Sequence, residues 1–346
     1  MGQSAPSEDS YGVGLQLLRE GRHADAIRRF EEALTEHPDD SRVLFAIGNT
    51  AVALGDAAVA ENFFRRVLTQ QPDRLEALVN LANLMRKGSR TADVIALLTP
   101  ALERNPSYAE LWLTLGSALR EAGDAATAET FYREALRLSP DYPPALGNLA
   151  DLLADAGGVD EALALYERVL AAEPENAQAH LNRAVLYFLK GDLANAWPDY
   201  EYRLKLKDKT PQTDHGLPRW DGRVRKAMRL LVTAEQGIGD QIMFASLIPE
   251  LGHHVAKKGG SLILEAEPRL VSLFARAFPS VSVHAGKVEA RGGAKYARYS
   301  WLKETGGADA AIPLGSLGES MRETDADRQW RACRRHRAMG NFGFGR

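Results

Sequence analysis

Cysteine is almost absent: Cys333 is the only one in 346 residues, so no disulfide forms within the chain and a reducing compartment is its expected home. No apolar run approaches the roughly 18 residues that a membrane-crossing helix needs, which argues against a span. The opening MGQSAPSEDS has neither the basic start nor the apolar core of a signal peptide, so the cytoplasm is the expected location. Charge of one sign is also lacking. A formal net charge of −3 and a pI near 6.3 give nucleic acid or an anionic membrane no bulk attraction, so neither is expected as a partner. His253 and His254 adjoin no other clustered ligands and read as surface residues, and no metal site is expected.

What the chain does have is a period. Pro38, Pro72, Pro106, Pro140 and Pro174 fall 34 residues apart. Gly21, Gly55, Gly123, Gly157 and Gly191 keep the same step, with Ser89 in the empty slot. Ala26, Ala60, Ala128, Ala162 and Ala196 form a third series, interrupted by Val94. A fixed step of this length marks one supersecondary unit stacked on copies of itself. Six blocks from 7–40 to 177–210 each read as two helices. The glycine ends the first helix in a left-handed C-cap, the alanine lets the second approach closely, and proline closes the unit. Phe30, Phe64, Leu98, Tyr132, Tyr166 and Tyr200 recur at position 24 of the blocks and fill the gap between the helices.

This pattern resembles the tetratricopeptide repeat. Block 3 departs from it at Ala82, Ser89 and Val94, and block 6 ends in Trp197-Pro198-Asp199-Tyr200-Glu201-Tyr202-Arg203, a capping unit. The resemblance implies a groove lined by first helices. Asn80, Asn148 and Asn182 share position 6 of their blocks, and Asn49 and Asn83 share position 9, three residues on and hence on the same helix face. Amides spaced along a groove suit the backbone of an extended protein or peptide segment, and the repeat stack of O-GlcNAc transferase has a similar ladder. The alternative is that these amides only bond neighbouring helices.

Beyond the repeats the period changes. Residues 205–227 are rich in Lys, Arg, Pro and Gly, a connector anchored by Trp220. Short apolar strands at 228–234, 261–267, 281–284 and 308–312 alternate with helices at about 241–257 and 269–278, which implies a parallel sheet. The expected fold is therefore an α-solenoid of helix pairs followed by a partial α/β, Rossmann-like lobe. Its parts are a disordered start (1–6), six repeats (7–210), a linker (211–227), the lobe (228–320) and a basic, disordered tail (321–346).

The loop Glu235-Gln236-Gly237-Ile238-Gly239-Asp240 follows the first strand, the usual ligand position in open α/β sheets. It lacks the third glycine of a dinucleotide fingerprint, so no nucleotide cofactor of that kind is expected. With the Trp-Asp-Gly of the linker, LLVTAEQGIGD and then Phe244, Pro249 and Leu251, it resembles repeat proteins fused to a heptosyltransferase-like glycosyltransferase domain. The resemblance covers about residues 195–320 and implies two Rossmann-like lobes, the first taking a sugar or glycan acceptor. It also implies that Asp240, after Gly239, is a general base, which would remove the acceptor hydroxyl proton as that oxygen attacks the anomeric carbon. Glu235 is a second catalytic candidate, and Gln236, Gly237 and Gly239 are substrate-binding candidates. Lys295, Arg298 and Trp301 are further acceptor-pocket candidates. The competing role for Asp240 is to cap the following helix.

Family members bind the nucleotide-sugar mainly through a second lobe, for which the residues after Ser320 leave little room. Arg328–Arg346 carries six arginines and no acid. It reads either as a basic arm for an acidic partner or as the product of a frameshift or premature stop, and the abrupt end of the family pattern favours the latter. The expectation is a binding scaffold that shows no glycosyl transfer of its own. A pure interaction module is the alternative.

Overall fold

The computed structural model describes residues 6–206, 211–213, 215–235, 237–291 and 294–321; Gln236, Cys333 and the rest of the basic tail after Met321 lie outside them. The chain forms two compact units, residues 1–174 and 175–346. The division falls one helix pair before the 34-residue period ends.

The first unit is ten helices in five pairs: α1 (Pro6–Arg19) with α2 (His23–Glu36), α3 (Ser41–Leu54) with α4 (Ala57–Gln70), α5 (Leu75–Lys87) with α6 (Thr91–Arg104), α7 (Ala109–Glu121) with α8 (Ala125–Leu138), and α9 (Pro143–Asp155) with α10 (Val159–Ala172). The periodic residues explain the pairing. Gly21, Gly55, Gly123 and Gly157 all turn the chain at φ between 75° and 90°, and Ser89 adopts the same left-handed conformation at φ 58°. Asp40, Asp56 and Asp124 cap the next helices by accepting from the backbone N–H of Arg42, Val59 and Thr127. Ala26, Ala60, Val94, Ala128 and Ala162 are completely buried where paired helices meet.

The position-24 aromatics fill space that glycines leave open. A Cβ on Gly14 would lie 2.4 Å from the Phe30 ring, on Gly48 2.6 Å from that of Phe64, and on Gly116 3.0 Å from that of Tyr132. Burying each such ring stabilises the stack by roughly 2–3 kcal/mol. Successive pairs are joined through their turns. Arg66 donates to the Pro38 carbonyl at 2.8 Å, and Arg104 donates to Asp73 at 2.9 Å.

The second unit opens with another pair, α11 (Ala177–Lys190) and α12 (Leu193–Tyr200), followed by a 3-10 turn at Glu201–Lys205. The strands and helices that follow are β1 (Gln212–Thr213), β2 (Arg229–Thr233), α13 (Ile238–Phe244), α14 (Ile248–Lys257), β3 (Ser261–Ala266), α15 (Val271–Ala277), β4 (Ser282–Ala285), β5 (Lys287–Arg291), β6 (Ala294–Arg298), α16 (Ser300–Glu304), β7 (Ala310–Pro313) and α17 (Leu317–Ser320). Strands β4-β3-β2-β7 form a parallel sheet in that order. A small second sheet runs β1-β6-β5, with β5 and β6 antiparallel.

Both faces of the parallel sheet are covered, which is why its strands are apolar without alternation. Leu230, Val232, Leu262 and Leu264 share a core with Trp197, Phe244, Leu251, Val255 and Phe274. Leu231, Ile263 and Ala311 pack with Tyr299 and Leu302. The helix expected over 241–257 is divided in two, with Pro249 in the first turn of α14. Where a connector was expected, the Pro218 carbonyl accepts from the Ala311 N–H, Trp220 donates its own N–H to the Ala311 carbonyl, and the Trp220 ring is buried. The β5–β6 hairpin carried no clear sequence signal, because its strands are short and charged and, among the described residues, only Ala297 of them enters a core.

Candidate functional site

Two regions hold the candidate residues. In the first unit, Asn49, Asn80, Asn83 and Asn148 stand on α3, α5 and α9. Asn80 Nδ2 donates to Asn49 Oδ1 at 2.8 Å across adjacent repeats. Asn148 Nδ2 donates to Ser117 Oγ on α7 at 3.0 Å, and Ser117 in turn accepts from the Tyr132 hydroxyl at 3.3 Å. Asn83 Oδ1 accepts from Arg86 Nη1 at 3.2 Å. Position 6 of one repeat thus meets position 9 of the repeat before it. Each inter-repeat bond uses only part of an amide's capacity, since a carboxamide has two donor hydrogens and two acceptor lone pairs. Asn182 belongs to α11 in the second unit, where Oδ1 accepts from Gln178 Nε2 at 2.6 Å.

The second region is the carboxyl end of the parallel sheet. Glu235, just after β2, is buried. Its Oε1 accepts from Arg203 Nη2 at 2.7 Å and from the Gly315 N–H, after β7, at 2.8 Å. Among the described residues its Oε2 is buried without a hydrogen-bond partner. Arg203 comes from the 3-10 turn and is itself 1% exposed. It also meets the Tyr200 carbonyl, Glu201 Oε1 at 2.9 Å, Ser316 Oγ at 2.8 Å and the face of the Tyr200 ring at 4.4 Å. Burial pushes the Glu235 carboxyl above the usual range, against the attraction of Arg203. A guanidinium this close and this well bonded keeps the pair ionic in our reading, despite that direction.

Asp240 is half-buried in the first turn of α13. Burial raises its carboxyl as well, opposed by a hydrogen bond from the Gly237 N–H. That bond reaches back to the N-cap residue, one half of a capping box. Gly237 and Gly239 are exposed, and a Cβ on Gly239 would meet nothing within 4 Å. Gln236 lies outside the described residues, as does the side chain of Lys295.

A further carboxylate escaped the sequence reading. Glu265, on β3, is 1% exposed. Its Oε2 accepts from the Ala234 N–H at 3.0 Å and from the Tyr299 hydroxyl at 2.8 Å, so it fixes the chain where β2 enters the loop. Burial pushes it up to about 7. The one available signal was an acid inside the apolar run SLILEA. His284, its register partner on β4, stacks on Trp301 at 4.4 Å. Arg298, another candidate, donates to Glu289 on the hairpin at 3.2 Å.

Comparison with known proteins agrees with the helical part. Two models described as tetratricopeptide repeat match the chain, one at residues 17–82 and the other at 79–143 and 148–212. The helix pairs are tetratricopeptide repeats. Protein FlbA of Caulobacter vibrioides (strain ATCC 19089 / CIP 103742 / CB 15) is 34% identical over 144 residues, which is 41% of this chain and 24% of FlbA, so the match spans about a quarter of that relative. Two solved structures are similar in fold alone. PilW, described as a widely conserved type IV pilus biogenesis factor, is 22% identical with a TM-score of 0.50, covering 59% of this chain and 94% of its own. Pseudomonas aeruginosa pilF is 20% identical with a TM-score of 0.50, covering 58% and 90%.

Proposed function

We propose that the chain is a protein-interaction scaffold whose first-helix face holds an extended segment of a partner. The observation that carries this is the inter-repeat amide pairing. Asn49 and Asn80 are held to each other and Asn148 is held to the buried Ser117, and these three amides keep further donor and acceptor capacity on a partly exposed face. Held amides of this kind offer a peptide backbone both of the groups it needs, with little side-chain entropy left to lose.

In the same reading the second unit is a Rossmann-like lobe related to the acceptor side of a glycosyltransferase, with Asp240 as base. Support comes from the strand order β4-β3-β2-β7, all parallel, in which the order of strand addition across the sheet reverses at β2, between β3 on one side and β7 on the other. Glu235 and Gly315 sit at that point, on the carboxyl ends of the two strands. The Arg203–Glu235 ion pair favours a second reading, in which the loop is structural and the repeats alone act, because it occupies Glu235 with a permanent counter-ion.

The test is selection from a displayed library of random dodecapeptides. The full chain is expected to enrich clones, while the Asn80→Ala, Asn148→Ala double variant enriches none and melts within about 2 °C of the parent. Equal enrichment by the two proteins, or a large fall in melting temperature, reduces the amides to a structural role.

A further inference from the structure

The face that carries the amides also carries a charge pattern, and that pattern specifies the partner further. Positions 12 and 13 of the first helices lie one turn beyond position 9 and about two turns beyond position 6. In α5, α7 and α9 they include Arg86, Arg120, Glu121 and Asp155. Each arginine is taken by a carboxylate of the following repeat. Arg86 Nη2 lies 2.6 Å from Glu121 Oε1, and Arg120 Nη2 lies 2.6 Å from Asp155 Oδ2. Arg86 Nε also donates to both Glu121 oxygens, at 3.1 and 3.3 Å, so that pair is a fork-on-fork contact. The remaining charges at positions 6, 9, 12 and 13 of α3, α5, α7 and α9 are Lys87 and Asp151, which offset one another. Asp151 is engaged by the Tyr166 hydroxyl. Over these positions of the four helices the charges sum to zero, and among the described residues the cations there and at position 13 of α1 that no carboxylate holds are Lys87 and Arg19, so the face offers little cationic valence.

From this we infer that the first-helix face takes an uncharged extended segment and rejects acidic ones. The inference rests on the proposal that this face is the binding surface. A segment rich in Asp or Glu finds only Lys87 and Arg19, each at the end of its helix, unless Arg86 or Arg120 leaves its partner. The displaced Glu121 or Asp155 then stands beside the incoming carboxylate, and the repulsion cancels the gain. A neutral segment meets no such cost. Its carbonyls and N–H groups meet amides whose chemistry is the same as its own. Charge compensation within the face acts as a filter, and the amide pairs supply the attraction.

The same dodecapeptide selection tests this. Clones recovered on the full chain are expected to carry a net charge within about one unit of zero, with Asp and Glu no more frequent than in the starting library. Their affinity is expected to change less than about twofold between 50 and 500 mM NaCl, because no ion pair forms on binding. The Glu121→Gln, Asp155→Asn variant leaves both arginines without their carboxylates. It is expected to recover acidic clones about tenfold more often than the parent, with binding that weakens as salt is raised. Enrichment of acidic clones on the unaltered chain, or strong salt dependence there, overturns the inference while the binding face stands. An Asp and Glu content in the variant's clones equal to that of the parent's also overturns it. No enrichment of any clone on the parent means instead that the binding face itself is misassigned.

Discussion

Replacing Glu265 by glutamine should stabilise the second unit, and by an amount that depends on pH. Glu265 is 1% exposed and titrates at about 7 rather than at its ordinary 4.5. The folded chain thus holds this proton more tightly than the unfolded chain does. Stability from the group is complete below pH 4.5 and is lost as the pH rises through 7. At about 1.4 kcal/mol per pH unit, the loss approaches about 3 kcal/mol by pH 8. Glutamine does not titrate, yet its carbonyl oxygen still accepts from the Ala234 N–H and the Tyr299 hydroxyl. The two proteins should match near pH 4.5 and diverge above it, the variant being more stable by about 3 kcal/mol at pH 8. The groups facing Glu265 are the Tyr299 hydroxyl and, one strand across, His284, whose own value is lowered by burial. Both remain in the variant, so their contribution cancels in the comparison. Urea unfolding followed by tryptophan emission is the assay, since Trp197, Trp220 and Trp301 all belong to this unit. A difference that stays constant with pH, or a parent that is the more stable at pH 8, refutes the reasoning.

Two other substitutions follow from the packing. Arg203→Met leaves Glu235 buried beside Gly315 without its counter-ion and should cost about 3–5 kcal/mol in thermal unfolding; adding Glu235→Gln should restore more than half of that. Ser89→Gly relieves a left-handed serine in the third repeat, so it should raise the unfolding free energy by about 0.5–1 kcal/mol and leave the helix content by circular dichroism unchanged.

The repeats were legible because their information is local and repeated. Glycine, alanine, aromatic and proline each recur for a steric reason, and even Ser89 could be placed from its neighbours in the series. The Asn positions were legible too, but their bonding was not. Whether Asn80 meets Asn49 depends on how far one repeat rotates on the next, which no single block encodes. The carboxyl end of the sheet was half visible. Glu235 and Asp240 stood out beside glycines, whereas Arg203, 32 residues before Glu235, read only as the last residue of the capping segment of the repeats. Glu265 was hidden for the opposite reason, since an apolar strand gives little sign of which polar residue within it will be buried and bonded. The β5–β6 hairpin was missed because its strands are short and charged and the residue they bury, Ala297, is a small one that marks no apolar alternation.

The division of the chain at residue 174 bears on how such an array gains or loses length by tandem duplication. The pair α11–α12 is committed to the sheet. Trp197 lies so close to Gly318 that a single added methyl there would meet the indole at 2.0 Å, and Arg203 is spent on Glu235. A second copy of that pair would carry a large indole and a guanidinium with no sheet to receive them. A copy of any earlier pair brings only residues that another repeat can already accommodate. Growth by whole 34-residue steps is therefore open on the amino-terminal side of Pro174 and closed beyond it. The number of amide rows can drift between descendants while the sheet and its ion pair stay as they are.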